Sequence, residues 1–422
     1  MHMGPTLKTL RKAYTAAVLL IAVLSLAACN NTVSSGSASS SSTPAGTSVT
    51  TGMSPPGGDG NSGSLSTSSG QQGKPLGQQA AHYPWMIRLQ HSGNANGTIL
   101  ATYRSFVGKR AEDPIFASTD EGKTFTRIAP LDPGTSPNNL CCTSLFELSR
   151  PVGALPAGTL LLSGAKNAEA RPMSLPVWRS EDHGHSWSFL STCYTSPNQG
   201  GVWEPEFSID ASGQLNCYFS DESDPAHSQM LARTVSSDGI HWGRKQQVVA
   251  LPDRPARPGM AVVARLSSGQ YFMTYELCGT TGPECAVHYR LSHDGRDWGN
   301  PATPGTPVVG PNGWIPEHTP KFTVTPDGRI LLASLTFNNP DGSPAPGNGA
   351  ILLVNSSGGT GPWSVIPAPV SAPENNRKVG PCTNYSPALL PVGNNGKQVL
   401  EITTRDEAGT CRAYYGTGVS TQ

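Results

Sequence analysis

The sequence predicts an all-β protein: a six-bladed β-propeller of four-stranded antiparallel blades, preceded by a disordered N-terminal tether. Three observations carry this expectation. Gly (47) and Pro (38) are abundant and only 14% of the 422 residues are charged, so turn formers outnumber helix formers. A short polar turn, Ser-x-Asp followed by Gly and an aromatic ring, recurs along the chain. That turn sits in a longer frame of apolar runs repeating every ~50–60 residues, a period suited to propeller blades.

The tether comes first. Lys8, Arg11 and Lys12 precede an apolar run from Ala16 to Ala28, too short to span a bilayer comfortably. The run ends in Leu26, Ala27, Ala28 and Cys29, which resembles a bacterial lipobox. The resemblance implies that residues 1–28 are a signal peptide and that Cys29 is lipidated. The protein is then an exported lipoprotein, held at the cell surface or in the periplasm by its N-terminal lipid alone. Residues 29–80 are mostly Ser, Thr, Gly, Pro and Gln, and cannot bury enough apolar surface to order themselves, so they read as a flexible linker. The propeller is expected over 81–422, as a monomer.

Charge and cysteines narrow the partners. Lys+Arg and Asp+Glu both number 29, and this balance argues against nucleic acid. Eight cysteines follow Cys29, an even count that suggests disulfides in an exported chain. Cys278 and Cys285 flank a Gly-rich turn and are placed to pair, as are Cys382 and Cys411. Cys141, Cys142, Cys193 and Cys217 leave their pairing open. No Cys/His cluster has zinc spacing, so neither metal nor cofactor is expected.

The repeat copies run over 85–125, 144–187, 205–242, 260–298, 320–363 and 387–418. The first four close on the polar turn, with Asp120, Asp182, Asp238 and Asp294 as its aspartates and Phe125, Trp187, Trp242 and Trp298 as its rings. The fifth copy keeps the strands but has Gly where Asp is expected, and the sixth ends without the turn. Each Asp is expected to accept backbone N–H bonds across a tight hairpin, with Gly supplying the permissive backbone and the ring packing between blades. The turn thus reinforces the fold. It resembles the Asp-box, or BNR, repeat of the sialidase superfamily, which implies a six-bladed propeller; a fold alone is not a function.

In such a blade the start of innermost strand A and the end of strand B share one face, and the Asp turn lies on the other. The first face collects Glu204, Arg257, Glu317, His318, Asn384 and Tyr385 from the starts of A. It collects Arg104, Lys166, Asp221, Glu222, Glu276, Asn338, Arg405 and Asp406 from the ends of B. Six blades aim these at one central depression. Glu204 lies behind Trp203, and Glu276 follows Tyr275 on the adjacent blade. Two carboxylates across one pocket are what glycoside hydrolysis needs: one protonates the leaving oxygen, the other attacks the sugar or activates water. The bland alternative for Glu204 is an ion pair with Arg257 at the rim.

The stretches GGVWEPEF (200–207), CYFSDE (217–222), RPGMAVVARL (257–266), GQYFMTYELCG (269–279) and NYSPAL (384–389) resemble the exo-arabinanases of glycoside hydrolase family 93. That resemblance implies a retaining enzyme that releases arabinobiose from the end of linear arabinan. It makes Glu204 the nucleophile and Glu276 the acid/base. Trp203, Asp221, Arg257 and Tyr385 would orient the sugar, with Arg104, His318 and Arg405 completing the substrate-binding set. Retention sets the two carboxyl groups about 5–5.5 Å apart.

Two other readings compete. An exo-α-sialidase would use Arg104, Arg257 and Arg405 to clamp a carboxylate, Tyr385 with Glu276 as nucleophile pair, and Asp113 as acid. Against it, Pro84 and Trp85 stand where that family's first arginine falls. A non-catalytic glycan-binding propeller would keep the rim residues without needing a matched carboxylate pair.

Overall fold

The computed structural model describes residues 72–107, 110–129, 140–167, 171–373 and 382–421. The signal segment, Cys29 and most of the expected linker lie outside the described residues. The described chain forms six antiparallel sheets, each led by one inner strand. These inner strands are Ala81–Arg88, Cys141–Glu147, Val202–Ile209, Arg257–Arg265, Lys321–Val324 and Ala388–Val392, for blades 1 to 6 in chain order. The β-rich, Gly- and Pro-punctuated pattern is therefore a six-bladed propeller, as expected. Apolar residues of neighbouring sheets fill the spaces between blades, as where Val262 and Phe272 of blade 4 meet Phe322 and Leu353 of blade 5.

The ring is closed by residues that the pattern did not mark. Lys74–Pro75 forms the outer strand of blade 6, with Lys74 opposite Tyr415 and Pro75 opposite Tyr414. These two residues fall inside the stretch assigned to the linker, so the folded domain begins before residue 81. A strand from the start of the chain added to the last blade covers an edge that would otherwise be open. Blade 4 carries a second elaboration. Ile315–Glu317 and Thr336–Asn338 pair with each other, and Glu317 pairs with Ala286, which extends that sheet to six strands.

The Asp turns act as expected. Asp120 accepts the Thr124 N–H and Oγ1–H, and Asp182 does the same with Ser186. Asp238 accepts the N–H groups of Ile240 and His241, and Asp294 those of Arg296 and Asp297. The Ser at the head of each turn takes the Gly N–H, as Ser118 does from Gly122. The rings reach the preceding blade: Trp242 Nε1 donates to Ser191 (3.0 Å) and Trp298 Nε1 to the Tyr218 hydroxyl (3.1 Å). In blade 5, Asn355 replaces this chemistry by accepting the Ser357 and Gly359 N–H groups itself. A turn without Asp thus keeps its hairpin.

Four disulfides join Cys278 to Cys285, Cys382 to Cys411, Cys193 to Cys217 and Cys141 to its neighbour Cys142. The first two match the expected pairs, and Cys193–Cys217 ties blade 2 to blade 3. Such a set belongs to an oxidising, extracytoplasmic compartment.

One buried carboxyl makes stability depend on pH. Glu401, on the second strand of blade 6, is 1% exposed and accepts the Val370 N–H at 2.9 Å. Burial pushes its pKa from 4.5 up to about 8. The folded protein therefore binds this proton more tightly than the unfolded chain does. Its stabilising contribution is complete below 4.5 and is lost as the pH rises towards about 8. Thermal unfolding is expected to shift down between about pH 5 and pH 9, with Glu401 contributing up to about 5 kcal/mol. In Glu401→Gln that fall should shrink; an unchanged fall would show that Glu401 is ionised throughout.

Candidate active site

The floor of the central depression is built by one device repeated around the ring. Each inner strand starts beside a residue with left-handed backbone: Tyr83 (φ 51°), Cys142 (58°), Glu204 (50°), Met260 (56°), Thr319 (43°) and Ser386 (56°). In blades 1 to 4 the ladder slips at this residue. A bulge of this kind re-aims one side chain, and proteins place such strain where a site needs it. In four blades the next residue is proline, in Tyr83-Pro84-Trp85, Glu204-Pro205-Glu206, Thr319-Pro320-Lys321 and Ser386-Pro387-Ala388. Proline has no N–H to leave unpaired where the ladder skips a bond. This X-Pro-X repeat was legible in the sequence, yet the Asp turn drew attention to the opposite face.

The bulges bring Tyr83, Cys142, Glu204, Met260 and Ser386 around one small cavity, together with Trp85, Thr143, Glu206 and Lys321. Below it an axial channel of about 1090 Å³ runs along the rest of the inner strands. Trp85, Glu206 and Lys321 border both spaces and form the partition between them.

Glu204 sits where blades 3 and 4 meet. Burial pushes its pKa from 4.5 up to about 7; the charges of Glu276 and Glu222 add to this, while the Ser220 hydroxyl and the Lys321 ammonium oppose it. Ser220 ties the two blades together, bonding Glu204 and accepting the Met260 N–H at 3.1 Å. Glu276 lies opposite Gly259 in the register of blade 4. A Cβ on Gly259 would lie 3.2 Å from Ser220 Oγ and 3.7 Å from Glu276 Oε1, so only glycine leaves the space between the two blades open. Glu276 Oε2 accepts the Thr319 N–H at 2.8 Å, and His318 Nδ1 stands 3.8 Å away. His318 is held in turn by its own N–H on the Cys285 carbonyl (3.0 Å). The blade 4 elaboration and the Cys278–Cys285 bridge therefore deliver His318 and Thr319 to Glu276. The sulfurs of this bridge lie near the His318 ring, but a disulfide offers no thiolate to a metal.

The remaining expected residues divide. Trp203 is buried beneath the Arg171 guanidinium, which stands 5.7 Å from its ring centre. Arg257 does not pair with Glu204; it holds Glu222 (2.5 Å), Gln229 (2.6 Å) and Ser228 (3.0 Å) at the rim. Tyr385 packs edge-on against Tyr83, with ring centres 5.1 Å apart, and accepts the Tyr83 hydroxyl at 3.4 Å. Arg104 is buried over the Phe106 ring, and its charge acts on Asp113, whose carboxyl also accepts the Thr143 hydroxyl at 2.6 Å. Arg405 stacks on Tyr414, 3.6 Å from the ring centre, within its own blade.

Asp221 requires a correction. Expected to orient a sugar, it is fully buried and instead accepts the Lys245 ammonium (2.5 Å) and the Ser223 N–H (2.8 Å). Alternation explains the difference: at the end of this strand Glu222 turns towards the rim and Asp221 towards the interior between strands. Residues that the sequence reading overlooked, Tyr83, Ser220, Thr319, Glu206 and Lys321, all belong to the bulge layer or bond to it.

No protein-family model and no curated protein matches the chain. Solved structures do. An α-L-arabinanase of Penicillium chrysogenum, solved with arabinobiose, is 26% identical with a TM-score of 0.68, covering 83% of this chain and 97% of its own. A family 93 α-L-arabinofuranosidase of Fusarium graminearum, also solved with arabinobiose, is 23% identical at a TM-score of 0.66, covering 83% and 96%. A Dyadobacter fermentans protein of unknown function shares the fold at 16% identity and a TM-score of 0.54. In its ring of six blades and its likeness to these solved structures, the chain is a six-bladed propeller of the fold that they share.

Proposed function

We propose that the protein is an exo-acting, retaining glycoside hydrolase that releases arabinobiose from linear arabinan. The observation that carries this reading is that Glu204, on the pocket floor, has the Glu276 carboxylate of the adjacent blade near enough for its charge to act on it. Glu204 is the nucleophile. Glu276 is the acid/base: Oε2 is occupied by the Thr319 N–H, which leaves Oε1 to carry the proton. Glu276 protonates the glycosidic oxygen as Glu204 attacks the anomeric carbon, giving a glycosyl ester on Glu204. Glu276, now a carboxylate, then takes a proton from water, which displaces Glu204 with net retention. Trp203, Tyr385 and the Arg257–Glu222 rim orient the sugar, with His318 beside the acid and Arg104 at the blade 1 wall. A lipid on Cys29 would tether this activity outside the cytoplasm.

Attack requires Glu204 ionised, and its pKa is raised to about 7. The profile of kcat/KM against pH is therefore expected to have an acidic limb near 7. A profile that falls above that pH instead would make Glu204 the proton donor and exchange the two roles.

The arginines speak against a sialidase. Arg257 is engaged by Glu222 and Arg405 stacks on Tyr414 within its own blade, so two of the three groups that a carboxylate clamp would need together are held apart by separate partners. The deciding experiment incubates the purified protein with linear arabinan and, separately, with a sialylated oligosaccharide, following products by chromatography. Arabinobiose from the first alone is expected. Free sialic acid from the second would overturn the proposal, and silence from both would leave a binding protein.

A further inference from the structure

Glu206 and Lys321 are two buried ionisable groups that the mechanism above leaves unused. Each is the third residue of its X-Pro-X bulge, Glu206 in blade 3 and Lys321 in blade 5, so both project into the layer just beneath Glu204. The equivalent positions in the other blades are Trp85, Ser144, Val262 and Ala388. Glu206 is 6% exposed and Lys321 9%. The Lys321 ammonium lies over the Trp85 ring, 3.7 Å from its centre, and Trp85 is fixed by its indole N–H on the Leu145 carbonyl at 2.9 Å. Glu206 Oε1 accepts the Val263 N–H at 3.1 Å. All of these side chains wall the small cavity that Glu204 also lines.

We infer that Lys321 is a positioning residue: fixed over Trp85 in the cavity wall that it shares with Glu206 and Glu204, its ammonium favours the ionised form of Glu204 that attack requires. The inference rests on the assignment of Glu204 as nucleophile. A single ammonium facing two buried carboxylates divides its field between them. Glu204 is faced by Lys321 from blade 5, by Glu276 from blade 4 and by Glu222 from its own blade; Lys321 is faced by Glu204 and Glu206. Burial drives Glu206 towards its protonated form and Lys321 towards its neutral one, and the attraction between them opposes both. Lys321 is therefore a cation opposing the two carboxylates that act on Glu204.

Two substitutions should move Glu204 in opposite directions. Lys321→Met removes the cation, and the acidic limb of kcat/KM is expected to move up by about one pH unit, a shift typical of losing a close opposite charge. Activity should then fall about tenfold on the acid side, with KM little changed. Glu206→Gln removes the competing carboxylate and should move the limb down. Lys321→Arg keeps the charge and should keep the limb. A merely structural role would depress activity at every pH and shift neither limb. The same midpoints are read without substrate by carboxyl ¹³C NMR of glutamate-labelled protein, with the Glu204 resonance assigned by its loss in Glu204→Gln. If Lys321→Met does not fold, Glu206→Gln and Lys321→Arg carry the test. Unmoved Glu204 midpoints in both Lys321→Met and Glu206→Gln would overturn the inference. If the wild type cleaves no arabinan, the proposed function fails, and the NMR midpoints still decide whether Lys321 sets the charge of Glu204.

Discussion

Glu204→Gln is expected to lower kcat on arabinan by about 10⁴-fold or more, since an amide cannot form the glycosyl ester on which the double displacement depends. The fold should survive. Glutamine keeps the volume and an acceptor for Ser220, and it replaces a carboxyl that burial already pushes towards neutrality, its pKa raised to about 7. Thermal unfolding is therefore expected to be unchanged or slightly raised, which separates lost chemistry from lost structure. Azide supplies a second check. Added to Glu204→Ala, whose truncation leaves room for it, with an activated aryl arabinoside, it should attack the anomeric carbon directly and give a glycosyl azide of inverted configuration. Activity within about tenfold of wild type would remove Glu204 from the mechanism.

Glu276→Gln should behave differently in kind. On arabinan, whose leaving alcohol needs a proton, a loss of about 10²–10⁴-fold is expected. With an aryl leaving group the first step needs little acid help, so a rapid burst of aryl alcohol should precede slow turnover as the ester on Glu204 waits for an activated water. Azide should then speed turnover and yield a glycosyl azide of retained configuration, because it displaces Glu204 from the ester. The two products thus assign the roles directly: inversion in one variant and retention in the other, exchanged if the roles are exchanged. The Thr319 N–H on Oε2 can be kept by the glutamine carbonyl, and on the aryl substrate KM should fall because the ester accumulates.

Much of this site could be read from local pattern because a propeller is built of repeats. Positions equivalent in the repeat are equivalent in space, so placing Glu204 at a strand A start and Glu276 at a strand B end was enough to put them on one face. The same logic missed what repetition does not encode. Asp221 and Glu222 are neighbours in sequence and look alike there. What each then meets, Lys245 for Asp221 and Arg257 for Glu222, is brought in by a later segment of the same blade and by a different blade. The X-Pro-X bulges were visible as a motif, but their meaning lay in backbone geometry, a φ near 50° at Glu204 that a residue pattern does not announce.

By itself the sequence determined the number of blades, the Asp-turn hairpins, two of the four disulfides and the face that bears the two glutamates. All of these follow from contacts within one repeat or between its neighbours, where chain-local periodicity and turn chemistry decide the outcome. Only the tertiary structure decided the closure of the ring by Lys74–Pro75, the pairing of Cys193 with Cys217, the partner of Asp221, and the stacking of Lys321 on Trp85 across the channel. Each of these joins segments well apart in the chain, and all but the Asp221–Lys245 pair join different blades or opposite ends of the domain. A buried charge takes whatever partner the closed ring places beside it, and that partner is set by how the blades pack.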